Sequence, residues 1–495
     1  MKPHILVISF AMILLLSFPL VVCADEVENL IKQLNSDSSE VCESAVKTLL
    51  KSQNNLGMVA IAEELCKSDS RYRIKDALVK TGTLAVAPLI DLLKHTDEQV
   101  RSAAASCLGE IGNMSAVEPL IVCLKDESSS VREEAAKALG NLRATKAVDS
   151  LLGLIRDNIL VRQEAIEALG KIGDERAVPE LIDALKETIR QYPTLDNTCR
   201  VSQLAAALGR IKSPEAIPIL VSLLGYGNSG TRSCVAEALD SIGYIPASDT
   251  EKIDFLVAKG DWLAIAKMGK PALKPTLGCL KNGDPIIRAG AAEALGDMGD
   301  VSAVDSLIAV AKDSEALIPS AAPKSGGALN GRSYDDIIRE TAIKSLGKLG
   351  DRKAIVPLSA MLPEWGLNKV LAESLKRLEW KPQTEREKLY TLIGEHDKQR
   401  IEEQWDLFGP LLLEDVESGD RKRIYNAICS IVSLGKEDLV DDLLQVLREN
   451  GTRVIAEIYL NSGNLRLRVG AESWAKKKGY QIVPGGSRDA GWRSW

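Results

Sequence analysis

Histidines, cysteines and a recurring arginine offer this 495-residue chain most of its chemistry. His4, His95 and His396 are the three histidines, and none is followed by Glu, so a histidine metal centre is excluded. The nine cysteines form no C-x-x-C pair, which removes zinc-knuckle and thioredoxin-like chemistry. Cys107 stands where sister segments carry Ala or Ser, and Cys123 and Cys279 share one position of another segment. These read as small core residues. Cys42 and Cys66 differ, because they sit at the start and end of one antiparallel hairpin. In an oxidising compartment they are candidates for a disulfide that staples a weak N-terminal end. No phosphate-cradling Gly loop, G-x-S-x-G elbow or H-E-x-x-H is present. No catalytic residue, metal ligand set or cofactor is therefore assigned, and the chain reads as non-enzymatic.

Arg101, Arg132, Arg162, Arg288 and Arg339 recur at one position of a repeated segment. They suggest either an anion-binding row or a hydrogen-bond ladder in which an Asp near each helix start joins the next Arg. The ladder between repeats is the better reading. Tyr244, Trp262, Trp380 and Trp405 suggest either an aromatic ligand pocket or gap-filling core, and core is favoured.

These residues sit in elements that repeat. VRSAAASCLGEIG starts at Val100, VREEAAKALGNL at Val131, VRQEAIEALGKIG at Val161, IRAGAAEALGDMG at Ile287 and IRETAIKSLGKLG at Ile338. Each precedes a second apolar segment by 16 residues, as in AVEPLIVCLKD from Ala116. Apolar positions recur at three and four, as on one helix face. Gly112, Gly173, Gly299 and Gly350 supply helix stops. Small residues such as Ala135 and Ala136 allow close approach of neighbouring helices. A lone hairpin cannot bury its apolar faces but stacked copies can, which predicts an all-α fold, an α-solenoid of helical hairpins. Apolar residues make up 45% and aromatics 4%, so the core is built from Ala, Leu, Ile and Val.

The pattern D-x-x-[VI]-R…A-L-G-x-[IL]-G…A-V-x-x-L, fullest at Asp97/Val100/Arg101, Asp284/Ile287/Arg288 and Asp335/Ile338/Arg339, resembles the short HEAT repeats of phycobilin lyases. It is similar to prokaryotic HEAT-repeat proteins over roughly residues 70–450. The resemblance implies an armadillo/HEAT-type superhelix and says little about function, since such arrays serve unrelated roles. Deoxyhypusine hydroxylase also has similar repeats, but its several His-Glu pairs cannot be assembled from His95 and His396.

The predicted organisation runs from a signal peptide (1–24) through a degenerate N-terminal capping repeat (25–69) to a repeat array (70–363). That array is broken at 188–199, 244–270 and 314–336. C-terminal repeats with a second aromatic-Pro insertion (364–450), capping helices (451–480) and a Gly/Trp tail (481–495) follow. The stretch from Leu239 aligns without gaps to that from Leu375, pairing Tyr244 with Trp380 and Pro246 with Pro382. Trp262 matches Trp405 after slippage. Residues 1–24 combine Lys2, an apolar run and Val22-Cys23-Ala24, which suits a secretory signal cleaved after Ala24. A retained anchor and lipidation at Cys23 remain alternatives. Asn113-Met-Ser and Asn450-Gly-Thr are glycosylation sequons by pattern.

Formal charge is −7, a poor balance for general nucleic-acid binding. Residues 451–495 carry eight basic and three acidic side chains, so the tail folds back on the acidic array or takes Trp492 and Trp495 to a partner. The reading that follows is an exported scaffold or adaptor binding another protein on a concave face lined by second helices. Glu118, Asp149, Asp183 and Asp305 project there, and an acidic groove prefers a basic segment. Membrane contact is expected only if the leader is retained or lipidated. The competing classes are a lyase- or hydroxylase-like enzyme or assembly factor, and a structural cell-surface spacer.

Overall fold

The computed structural model describes residues 24–36, 38–51, 55–191, 198–312, 328–329, 332–364, 367–437, 439–483 and 491–494. The leader and its cleavage site thus lie almost wholly outside the described residues. The chain divides into two compact units, 1–247 and 248–495.

In the first unit, long first helices alternate with second helices that are short except for Val178–Gln191. Glu98–Ile111, Ser129–Asn141, Ile159–Ile172, Thr198–Ile211 and Ser229–Ile242 are first helices. Val117–Cys123, Val148–Leu154, Val178–Gln191 and Ile217–Ser222 are second helices, each entered through a 3₁₀ turn. Local chemistry sets their bounds. Asp97 caps the first of them by accepting from the Gln99 amide, and Gly112, at φ 78°, ends it in the left-handed conformation. The apolar stripe of each first helix is buried, as with Val131, Ala135, Ala138 and Leu139.

The Gly of each A-L-G triplet has a separate task. A Cβ on Gly109 would sit 2.6 Å from the Cα of Ala138, and one on Gly140 would sit 2.7 Å from that of Ala168. Gly209 repeats the contact against Ala238. Consecutive first helices therefore touch backbone to backbone, which sets the stacking distance.

The N-terminal segment read as one hairpin holds three helices, Ala24–Leu34, Ser39–Lys51 and Asn55–Cys66. The predicted break at 188–199 is narrower, because helix Val178–Gln191 runs through its start and Thr198 opens the next helix.

In the second unit, Asp249–Lys259, Trp262–Met268 and Lys270–Cys279 precede the hairpin of Pro285–Met298 and Val304–Lys312. Glu385–Gly394, Lys398–Glu403 and Trp405–Glu417 repeat that three-helix pattern. Even the caps repeat: Ser248 and Thr384 accept from the amides of Glu251 and Glu387, and Asp261 and Asp397 from those of Ala264 and Arg400. The insertions are thus duplicated helical pieces. Trp262 and Trp405 are not equivalent, however, since one opens the middle helix and the other the third.

Within the expected loop 314–336, Ala328–Leu329 pairs antiparallel with Arg332–Ser333, and helix Tyr334–Leu349 has begun by 334. Its remaining residues before 334 lie outside those described. Arg453–Asn461 and Leu465–Lys477 form the capping pair. The tail is not structureless, because Tyr480–Val483 pairs antiparallel with Gly491–Ser494, Ile482 opposite Trp492. The Trp492 side chain and all of Trp495 lie outside the described residues.

Candidate protein-binding face

The recurring arginines build a ladder. Arg101 donates from Nε and Nη2 to the two oxygens of Asp126, both at 2.8 Å, and from Nη1 to the carbonyls of His95 and Thr96. Arg132 does the same to Asp157 at 2.8 and 2.9 Å, and its Nη1 reaches the carbonyl of Asp126 at 2.9 Å. Each Asp thus takes the preceding Arg on its side chain and the following Arg on its main chain. Arg339 grips Glu364, again 25 residues on. Burial opposes ionisation of Asp126, but the Arg101 fork outweighs it and holds the carboxyl below its usual range. Asp157 is lowered chiefly by its Arg132 hydrogen bonds. Asp97 and Asp284 cap their own helices, and the forks of Arg101, Arg132 and Arg339 go to the carboxylate 25 residues further on.

The second helices position the predicted binding residues. Glu118, Asp149 and Asp183 are all exposed on them, as is Asp305 in the second unit. The expected bare acidic lane is mostly neutralised. Lys146 meets Glu118 at 2.8 Å, Arg176 lies 3.7 Å from Asp149, and Lys186 meets Asp183 at 3.1 Å. The first two pairs bridge adjacent units, because each cation opens the hairpin turn of the next one. Asp305 has no ion pair among the described residues.

Sequence reading missed the apolar component of this face. Pro179, Ile182, Asp183 and Lys186 of one second helix face Glu215, Pro218, Ile219 and Ser222 at the next, around a groove of about 550 Å³. Both sets follow i, i+3, i+4, i+7, so each is one helix stripe. The signal was present as Ile182 and Ile219, which lie beside Pro and charged residues on their helices.

The remaining chemical candidates are structural. A Cβ on Gly290 would overlap the Trp262 indole, so that aromatic is packed directly on the first helix of the hairpin that follows it. Trp380 and Trp405 pack against the same core, with Lys436 Nζ 4.7 Å over the Trp405 ring. Cys107 is fully buried, and burial pushes its thiol up to about 12; Cys123 rises to about 11 for the same reason. Cys42 is also buried, its Sγ 4.0 Å from the Arg73 carbonyl, while the side chain of Cys66 lies outside the described residues. Buried Asp415 accepts from the Tyr390 hydroxyl and from Arg423 Nε at 2.9 Å, a satisfied core network. Among the described residues no cluster of His, Cys, Asp and Glu could hold a metal ion, and no helix is long and apolar enough to cross a membrane.

Known families match this architecture. The model for HEAT repeats matches residues 86–160, and that for the PBS lyase HEAT-like repeat matches 161–187, 202–226, 287–313 and 338–362. No curated protein matches the chain. Among solved structures, the CpcE–CpcF complex of phycocyanin lyase from Nostoc sp. PCC7120 is similar at 22% identity and TM-score 0.30, over 56% of this chain and 93% of that one. A designed armadillo repeat protein in complex with the peptide (KR)4 is similar at 22% identity and TM-score 0.28, over 44% and 99%. Human deoxyhypusine hydroxylase gives 19% identity and TM-score 0.21, over 66% and 99%. None of these structural likenesses bears on what the chain binds. Residues 86–160 are thus built of HEAT repeats, and four segments between 161 and 362 are units of the PBS lyase HEAT-like type.

Proposed function

We propose that the chain is an exported, non-catalytic scaffold that binds another protein along the exposed stripe of its second helices. The groove between Val178–Gln191 and Ile217–Ser222 carries this reading: Ile182 and Ile219 are left half-buried across a cleft whose rim holds Asp183, Lys186 and Glu215. Apolar floor with a charged rim is the composition of a protein-docking groove. Glu215 has no ion pair among the described residues, so the favoured partner segment seats an apolar side chain between the isoleucines and a basic one beside Asp183 and Glu215. The export element rests on the apolar leader that precedes Asp25.

Affinity capture from the extracytoplasmic fraction tests this with wild type and with the double variant Ile182→Asp, Ile219→Asp in parallel. A saturable partner retained by wild type and lost by the variant, at unchanged helical content, is expected. Equal retention by both, or no partner at all, overturns the groove as the docking surface.

A further inference from the structure

The arginine ladder has an open rung. Counted 25 residues on from Arg162, the position that holds the gripping carboxylate in the other rungs is Glu187. Glu187 is engaged elsewhere: its Oε1 accepts from Gln191 Nε2 at 2.7 Å and lies 3.6 Å from Arg190. Arg162 keeps only a long main-chain contact, Nη1 to the Asp157 carbonyl at 3.4 Å. Its Nε is buried with no acceptor among the described residues. A buried guanidinium N–H without an acceptor is costly to leave unmade. Arg101 and Arg132 show what satisfies it, namely both oxygens of one carboxylate.

Arg162 lines a cavity of about 620 Å³ together with Arg156 and Arg200, with Ile155, Glu187 and Gln191 on the same walls. Arg156 is exposed and has no ion pair among the described residues. Asp183 lines both this cavity and the second-helix groove, so the two adjoin at that residue. We propose that the Arg162 pocket is a second anchor point of the docking surface, taking the Asp or Glu side chain of a bound protein segment as the missing carboxylate of the rung. Arg156 and Arg200 attract that carboxylate, and the Arg162 fork fixes its orientation. Glu180, Asp183 and Glu187 also line the pocket as internal competitors, and none of them reaches the Arg162 Nε. The inference rests on the second-helix face being a docking surface, and it adds the chemistry of one contact.

The test uses the full mature chain and two immobilised pools of nine-residue peptides. One pool has a central Asp or Glu and the other a central Asn or Gln, with flanking positions randomised. Wild type should be retained at least 10-fold better by the acidic pool, and Arg162→Lys, which keeps the charge but not the fork, should lose that preference. Equal retention of wild type by the pools, or an undiminished preference in Arg162→Lys, overturns the proposal. The Nε–H resonance of Arg162 in labelled wild type gives a readout that needs no folded variant. It should shift on adding a selected acidic peptide and stay still with the amide counterpart, and no shift with either also overturns the proposal. A protein partner lost by Ile182→Asp, Ile219→Asp alongside no acidic preference would sink this inference and leave the docking groove standing. Failure of both captures would remove both.

Discussion

Arg132 and Asp157 stand 25 residues apart in the chain and meet through two parallel hydrogen bonds, Nε to Oδ2 at 2.8 Å and Nη2 to Oδ1 at 2.9 Å. Both side chains are about four-fifths buried, the Arg 18% and the Asp 20% exposed. The pair joins one repeat to the next at a point where water is largely excluded, so its loss strands two kinds of polar group.

Removing the guanidinium leaves Asp157 without its fork and frees the carbonyls of Asp126 and Glu127. Arg132→Ala should therefore lower stability by about 2 kcal/mol, and Arg132→Lys by roughly half as much, since one ammonium cannot span both oxygens. Hydrogen exchange is the measurement of choice, because a repeat array need not unfold as one unit. The loss should concentrate in helices Ser129–Asn141 and Ile159–Ile172.

The same rungs give the protein an acid-sensitive element. Asp126 and Asp157 have folded pKa values below the unfolded carboxylate value of about 3.9. Their contribution is fully present above the unfolded pKa and is lost as pH falls through the lowered, folded one. Thermal midpoints should hold above roughly pH 5 and then drop from about pH 4 downward. Asp157→Asn should start lower at neutral pH and fall less steeply in acid, and an unchanged acid slope would count against the rungs as its source.

Helix contact predicts opposite outcomes for two glycines. In Gly140→Ala the new methyl meets the Cα of Ala168 at 2.7 Å and its Cβ at 2.9 Å, where backbone must move. A cost of about 2 kcal/mol is expected. Gly153→Ala meets nothing within 4 Å, so it should leave stability unchanged or raise it slightly. Urea titration of the two variants beside wild type distinguishes packing from helix propensity as the reason for the conserved-looking A-L-G triplet within this chain.

The proposed export makes a direct prediction about the chain terminus. The mature protein recovered from its own host should begin at Asp25, as read by intact mass and N-terminal sequencing. A chain retaining Lys2, or one carrying lipid on Cys23, would replace the cleaved-leader reading with one of its alternatives.

The hairpins, their stops and the five recurring arginines were legible in the sequence because each depends on neighbours within a turn or a fixed repeat. The partner of each Arg was less so. The carboxylate that takes the Arg101 fork is Asp126, one repeat further on, where it also accepts the Ser128 amide, and a pattern read around Arg101 alone does not reach it. The role of Gly140 was hidden because glycine in a helix reads as a propensity cost, and its benefit appears only against Ala168. The groove was hidden for a different reason. Ile182 and Ile219 face each other from separate helices, and each alone reads as an ordinary exposed apolar residue. Charge was misread in the same way: Glu118 and Asp149 look free until Lys146 and Arg176 arrive from the following unit.

The 25-residue span of the rungs at Arg101, Arg132 and Arg339 also decides where extra chain could be placed without breaking one. From Arg232 the same count reaches Val257, inside the three-helix insertion that starts at Asp249, so no carboxylate rung of this kind spans that insertion. Additional chain placed inside a span would separate an arginine from its acid, whereas chain placed after it leaves every completed rung in register. Repeats with a closed rung are therefore held to one length between the arginine and its acid, and a repeat without such a rung is free of that constraint.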